Sequence, residues 1–107
     1  VSEATETVEI AFTGDTLPEV IEREELVRKA RLLIMECTFV DDRVPVEKAR
    51  GSGHVHLDEL VERAHLLENE AVLLTHFSAR YSAGHVQDAL RQRLPRGLWE
   101  RVTALVG

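Results

Sequence analysis

The chain has 107 residues, 44% of them hydrophobic and 30% charged, which fits one globular domain and excludes a disordered segment. A net charge of −6, from 13 basic and 19 acidic residues, argues against a generally basic nucleic-acid binder. No apolar run approaches the roughly 20 residues of a membrane-spanning helix, and the single cysteine, Cys37, excludes an intramolecular disulfide and a Cys-only zinc site.

Val8, Ile10 and Phe12 alternate with Glu9, Ala11 and Thr13, the period of a half-buried strand. Gly14-Asp15-Thr16 ends it, and Pro18 keeps the following residues out of the sheet. A short acid-first, lysine-last helix is expected from about Glu24 to Lys29. Leu32-Leu33-Ile34-Met35 reads as a central strand covered on both faces and ending in Glu36. Asp41 to Gly53, with Pro45, Gly51 and Gly53, reads as an irregular loop long enough to be functional.

Leu57, Leu60, Val61, Ala64 and Leu67 share a helical face opposite Asp58, Glu59, Glu62 and Arg63. Ala71-Val72-Leu73-Leu74 is a second buried strand, closing on Thr75-His76. A further helix is expected from about Gly84 to Leu94, stopped by Pro95, and the tail from Leu98 to Val106 fits either a helix or a strand. Strands alternating with helices predict an α/β fold with a mainly parallel sheet.

Each strand ends in a group able to bind metal or move a proton: Asp15, then Glu36, then His76. In open α/β sheets such groups gather beyond the carboxyl ends of the strands. His54, between Gly53 and Val55, has a flexible approach to the same edge. Each residue also has an ordinary reading. Asp15 serves equally as a turn residue, Glu36 as the partner of an arginine, His76 as a hydrogen-bonded structural histidine and His54 as a loop histidine. His56, His65 and His85 read as surface or helix-start residues, and Cys37 as a small buried apolar residue. Residues 76–107 hold 2 acids against 5 arginines, an Arg-rich end able to meet phosphate or simply to stay solvated.

Phe12-Thr13-Gly14-Asp15-Thr16, Met35-Glu36-Cys37-Thr38, Gly53-His54 and Thr75-His76-Phe77-Ser78-Ala79-Arg80-Tyr81 occur in one order. This ordered set resembles the C-terminal half of a metallo-β-lactamase-fold hydrolase of the ribonuclease Z type, over roughly residues 8–81. The resemblance implies an α/β fold, half of an αββα sandwich, with residues 1–107 forming the C-terminal half of one domain. It implies two zinc ions, with Asp15 bridging them and His76 ligating one. It implies a proton-handling pair, in which Glu36 orients and charge-stabilises His54 and His54 protonates the leaving oxygen. Thr38 would fix the nearby loop or a hydrogen bond. Ser78 and Arg80 would meet substrate, Arg80 as a phosphate clamp or else as the partner of an internal acid. Tyr81 reads as packing.

Where ribonuclease Z usually carries His-Glu-Ala-Thr this chain carries Met35-Glu36-Cys37-Thr38, and where it carries His-Ser-Thr this chain has His54-Val55-His56. The family's His-x-His-x-Asp-His string, a further histidine and the tRNA-gripping arm are absent. Two ligands do not hold a catalytic zinc, so the chain is expected to be inactive alone and to pair with a missing N-terminal half. A start at Val1, without Met, just ahead of a strand reads as part of a longer protein. The expected whole is a cytoplasmic, zinc-dependent phosphodiesterase that processes tRNA 3′ ends as a homodimer. The alternatives are a superfamily hydrolase of a small phosphodiester or sulfate ester, and a non-catalytic α/β interaction module.

Overall fold

The structure, a computed structural model, describes residues 9–13 and 17–106. Four parallel strands lie side by side in chain order: β1 (Ile10–Phe12), β2 (Leu32–Glu36), β3 (Ala71–Thr75) and β4 (Val102–Ala104). Parallel neighbours require crossover connections. Helices α1 (Val20–Arg23) and α2 (Glu25–Lys29) link β1 to β2. Helices α3 (Val46–Gly51) and α4 (Leu57–Arg63), with a 3-10 turn at Ala64–Leu66, link β2 to β3. Helices α5 (Ala83–Arg93) and α6 (Arg96–Trp99) lead to β4. The ambiguous tail is therefore both a helix and a strand, with Pro95 at the N-cap of α6. No helix among the described residues is long and apolar enough to cross a membrane.

The strands pair in the register Ala11↔Leu33, Leu33↔Val72 and Val72↔Val102, so these side chains share one face. Leu33, Met35, Val72 and Leu74 are buried there in one cluster with Leu57 and Leu60 of α4, Val86 and Leu90 of α5, and Leu98 of α6. Ile21 of α1 and Val27 of α2 join the same core. The other face stays largely open. Ile10, Phe12 and Leu105 are 58%, 71% and 61% exposed, and Leu32, Ile34 and Leu73 are only partly buried.

Several expectations change. Ile10 and Phe12 point outward and Ala11 packs on the core, the reverse of the reading from their alternation. Strand register decides the parity: Leu33 enters the core, so its partner Ala11 must as well. Strand β2 is buried on one face rather than two. The segment from Asp41 to Gly53 contains α3, whose six residues bury only Ala49 and so leave no apolar periodicity to read. His56 is a helix-start residue, but a buried one. Val8, Gly14, Asp15 and Thr16 lie outside the described residues.

Candidate active site

Strand alternation builds the first part of the site. Met35 and Cys37 are fully buried, whereas Glu36 between them leaves the sheet on the opposite side. The pairing Glu36↔Thr75 sets the ends of β2 and β3 level, so His76 follows at the same edge. His76 has φ +63°, the left-handed region, which ends β3 abruptly. His54 arrives from the other direction. Helix α3 is capped by Ser52 and followed by Gly53, with φ +79°, a conformation that glycine adopts without steric cost. The turn is closed by the His54 amide, which donates to the Ala49 carbonyl at 2.9 Å.

These approaches converge on one buried carboxylate. The Thr38 hydroxyl donates to Glu36 Oε2 at 2.7 Å and the Val55 amide donates to Oε1 at 2.8 Å. His54 Nδ1 lies 3.3 Å from Oε2 and His76 Nδ1 lies 3.5 Å from the same atom. The two imidazoles stack with centroids 6.1 Å apart. One nitrogen or oxygen from each of Glu36, His54 and His76 falls within a span of 4.8 Å, a donor set able to hold a metal ion. Nitrogen and oxygen donors of this kind suit a borderline ion such as zinc.

Both carboxylate oxygens of Glu36 are already engaged by Thr38 and Val55, and the side chain is 5% exposed. His76, by contrast, is 63% exposed, with Nδ1 directed to the carboxylate and Nε2 left for another partner. A carboxylate behind one ring nitrogen, with the other ring nitrogen outward, is the arrangement of a histidine that ligates metal. The donors present therefore fit a divalent ion best with His76 as the ligand and Glu36 behind it.

Ser78 and Arg80 stand beside this group. The Ser78 amide donates to the Thr38 carbonyl at 2.9 Å, which ties the loop after β3 to the loop after β2. Arg80 Nε donates to Ser78 Oγ at 3.2 Å, and no acid among the described residues pairs with the guanidinium. It lies over the Phe39 ring instead, 5.7 Å from the centroid. Tyr81 is buried and donates to Asp41 Oδ1 at 3.2 Å. Burial pushes the Cys37 thiol up, which leaves it inert.

The structure thus brings together Glu36, Thr38, His54, His76, Ser78 and Arg80. It leaves Asp15 outside the described residues. It adds a contact that sequence reasoning missed, between Glu36 and His76, and a residue it passed over, Phe39. The aromatic at this position, directly after Glu36-Cys37-Thr38, was the available signal.

A family model for a beta-lactamase superfamily domain matches residues 3–77. The chain belongs to this superfamily. Within the superfamily it is similar to two tRNase Z proteins of Arabidopsis thaliana. One is 48% identical over 101 residues, covering 92% of this chain and 36% of the relative. The other, chloroplastic, is 40% identical over 93 residues, covering 82% and 26%. A ribonuclease Z of Pyrobaculum islandicum is 38% identical over 81 residues, covering 76% and 28%. The chain therefore spans between about a quarter and a third of the length of these relatives. The α/β fold, with its parallel four-stranded sheet, is that of a superfamily member seen in part.

Proposed function

We propose that this chain is the C-terminal half of a metal-dependent phosphodiesterase domain resembling ribonuclease Z, and that the whole protein processes tRNA 3′ ends. The observation that carries this reading is that one buried carboxylate, that of Glu36, stands behind both His54 and His76. The named relatives support the choice of an RNA phosphodiester over a small ester.

In this reading Glu36 accepts the Nδ1 proton of His54 and fixes the ring, so that Nε2 carries the proton given to the leaving oxygen. Thr38 and the Val55 amide hold the carboxylate in that orientation. His76, backed by the same carboxylate, and Asp15 would hold the metal, with two zinc ions as the expected complement. Such ions, when bound, supply Lewis-acid charge stabilisation and activate the attacking water. Arg80, anchored by Ser78, would bind the phosphate that carries the developing charge. The remaining ligands would come from the other half of the domain, whose sheet would cover Ile10, Phe12, Ile34 and Leu73. A homodimer of the completed domain is the proposed assembly.

The full-length protein tests this. His54→Ala should lower kcat on precursor tRNA about 100- to 10,000-fold while bound zinc, measured by plasma mass spectrometry, stays unchanged. Asp15→Ala and His76→Ala should lose zinc. Hydrolysis that survives Asp15→Ala, or a protein that binds no metal, would end the reading. Cleavage of bis(p-nitrophenyl) phosphate but not of precursor tRNA would replace the RNA substrate with a small ester.

A further inference from the structure

Phe39 stands between His54 and Arg80, the two groups that the proposed function places at the reacting phosphate. Its ring meets His54 edge-on, with centroids 6.1 Å apart and planes at 83°. The Arg80 guanidinium covers it from the other loop. Its backbone is held on both sides: the Phe39 amide donates to the Val55 carbonyl at 3.3 Å, and the Leu57 amide donates to the Phe39 carbonyl at 2.8 Å. The ring is only partly buried, although a phenylalanine in this fold has a core available to it. Arg80 is exposed, takes Ser78 Oγ as its anchor and has no acid partner among the described residues. A flat cation resting on an aromatic, held in place and uncompensated, suits a ligand that is both aromatic and anionic.

We propose that Phe39 and Arg80 form a stacking platform for the nucleobase next to the scissile phosphate. The inference rests on the phosphodiesterase reading and narrows its substrate to a base-bearing, single-stranded polynucleotide. Bases without a duplex partner stack on aromatic rings and on guanidinium planes alike. The short distance from Phe39 to His54 assigns the platform to the nucleotide at the cleavage point or its immediate neighbour. Ser78 keeps Arg80 on the ring, which lowers the ordering cost of binding.

The test is equilibrium binding to the metal-free full-length protein, read by fluorescence anisotropy. The probes are a short labelled single-stranded RNA and an abasic strand with the same number of phosphates. The wild type should bind the base-bearing strand about tenfold more tightly than the abasic one. Phe39→Leu should remove that difference and leave the abasic strand unaffected, and Phe39→Tyr should retain it. Equal binding of both strands by the wild type would overturn the proposal. So would a Phe39→Leu protein of unchanged Tm that still prefers the base-bearing strand. A base preference in a protein that hydrolyses no phosphodiester with metal restored would sink the hydrolase reading and keep the platform. Metal-dependent RNA cleavage without that preference would do the reverse.

Discussion

Glu36 is a carboxylate with most of its hydrogen-bonding capacity used: a hydroxyl, a backbone amide and the His54 imidazole bond it, and the His76 ring stands 3.5 Å away. A buried charge persists when its partners replace water in this way. The two departures from the ribonuclease Z wording fall on the other side of the strand. Met35 and Cys37 fill the core, so changes there leave Glu36 and Thr38 where they stand. The same holds for Val55, which is buried, and for His56, which caps α4 by accepting the Asp58 amide at 3.0 Å. His76 is placed by a backbone conformation that side chains rarely adopt. Glycine relieves that cost, which is about 1–2 kcal/mol per non-glycine residue. His76→Gly should therefore be more stable than His76→Ala by about 1 kcal/mol in urea unfolding. Equal stability of the two variants would mean that the left-handed turn costs nothing here.

Among the elements, the loop after β2 is pinned to the start of α5 by Asp41. His85 Nε2 lies 2.8 Å from its carboxylate, Arg43 Nε lies 3.0 Å away, and Tyr81 donates to it. The Asp41 carbonyl also meets His56 Nε2 at 2.8 Å. Burial opposes ionisation of Asp41, but the hydrogen bonds from His85, the Arg43 amide and Tyr81 outweigh it and hold the carboxyl below its ordinary range. The stability that follows is present above the unfolded value of about 3.9 and is lost as the pH falls through the folded value. Asp41→Asn should thus be less stable than the wild type at pH 7, with the gap closing below about pH 4. Denaturant titrations at pH 7 and pH 3 check this, and a gap that stays constant would assign the loss to packing alone. The link from Asp41 to Tyr81 and His85 was not legible in the sequence, because these residues lie 40 and 44 positions from it.

At the scale of the molecule, the sheet has one finished face and one open face. Phe12 is 71% exposed, so in this chain by itself Phe12→Ala should change stability by no more than about 0.5 kcal/mol. In the full-length protein, where the proposed second half of the domain would cover it, the same change should cost about 3 kcal/mol or more. Urea unfolding of both forms makes the comparison, and equal small losses would leave the open face without a covering layer. An apolar face of this kind also favours association, so the chain alone should form oligomers that Phe12→Ser disperses in analytical ultracentrifugation.

Sequence by itself determined the order of β1, α2, β2, α4, β3 and α5, the mainly parallel sheet and the residues at the strand ends, because hydrophobic period and strand-end position are local properties of the chain; it did not show α3 or separate α6 from β4. Superfamily membership was legible for the same reason: Glu36, His54 and His76 sit in short contiguous motifs. Only the tertiary structure decided which face of β1 is inward, since parity belongs to the pair Ala11↔Leu33 and not to β1 alone. It alone joined His76 to Glu36, a contact made by level strand ends and a left-handed turn rather than by spacing along the chain. It alone set Phe39 beneath Arg80, because two loops remote in sequence are tied there by one backbone hydrogen bond from Ser78 to Thr38.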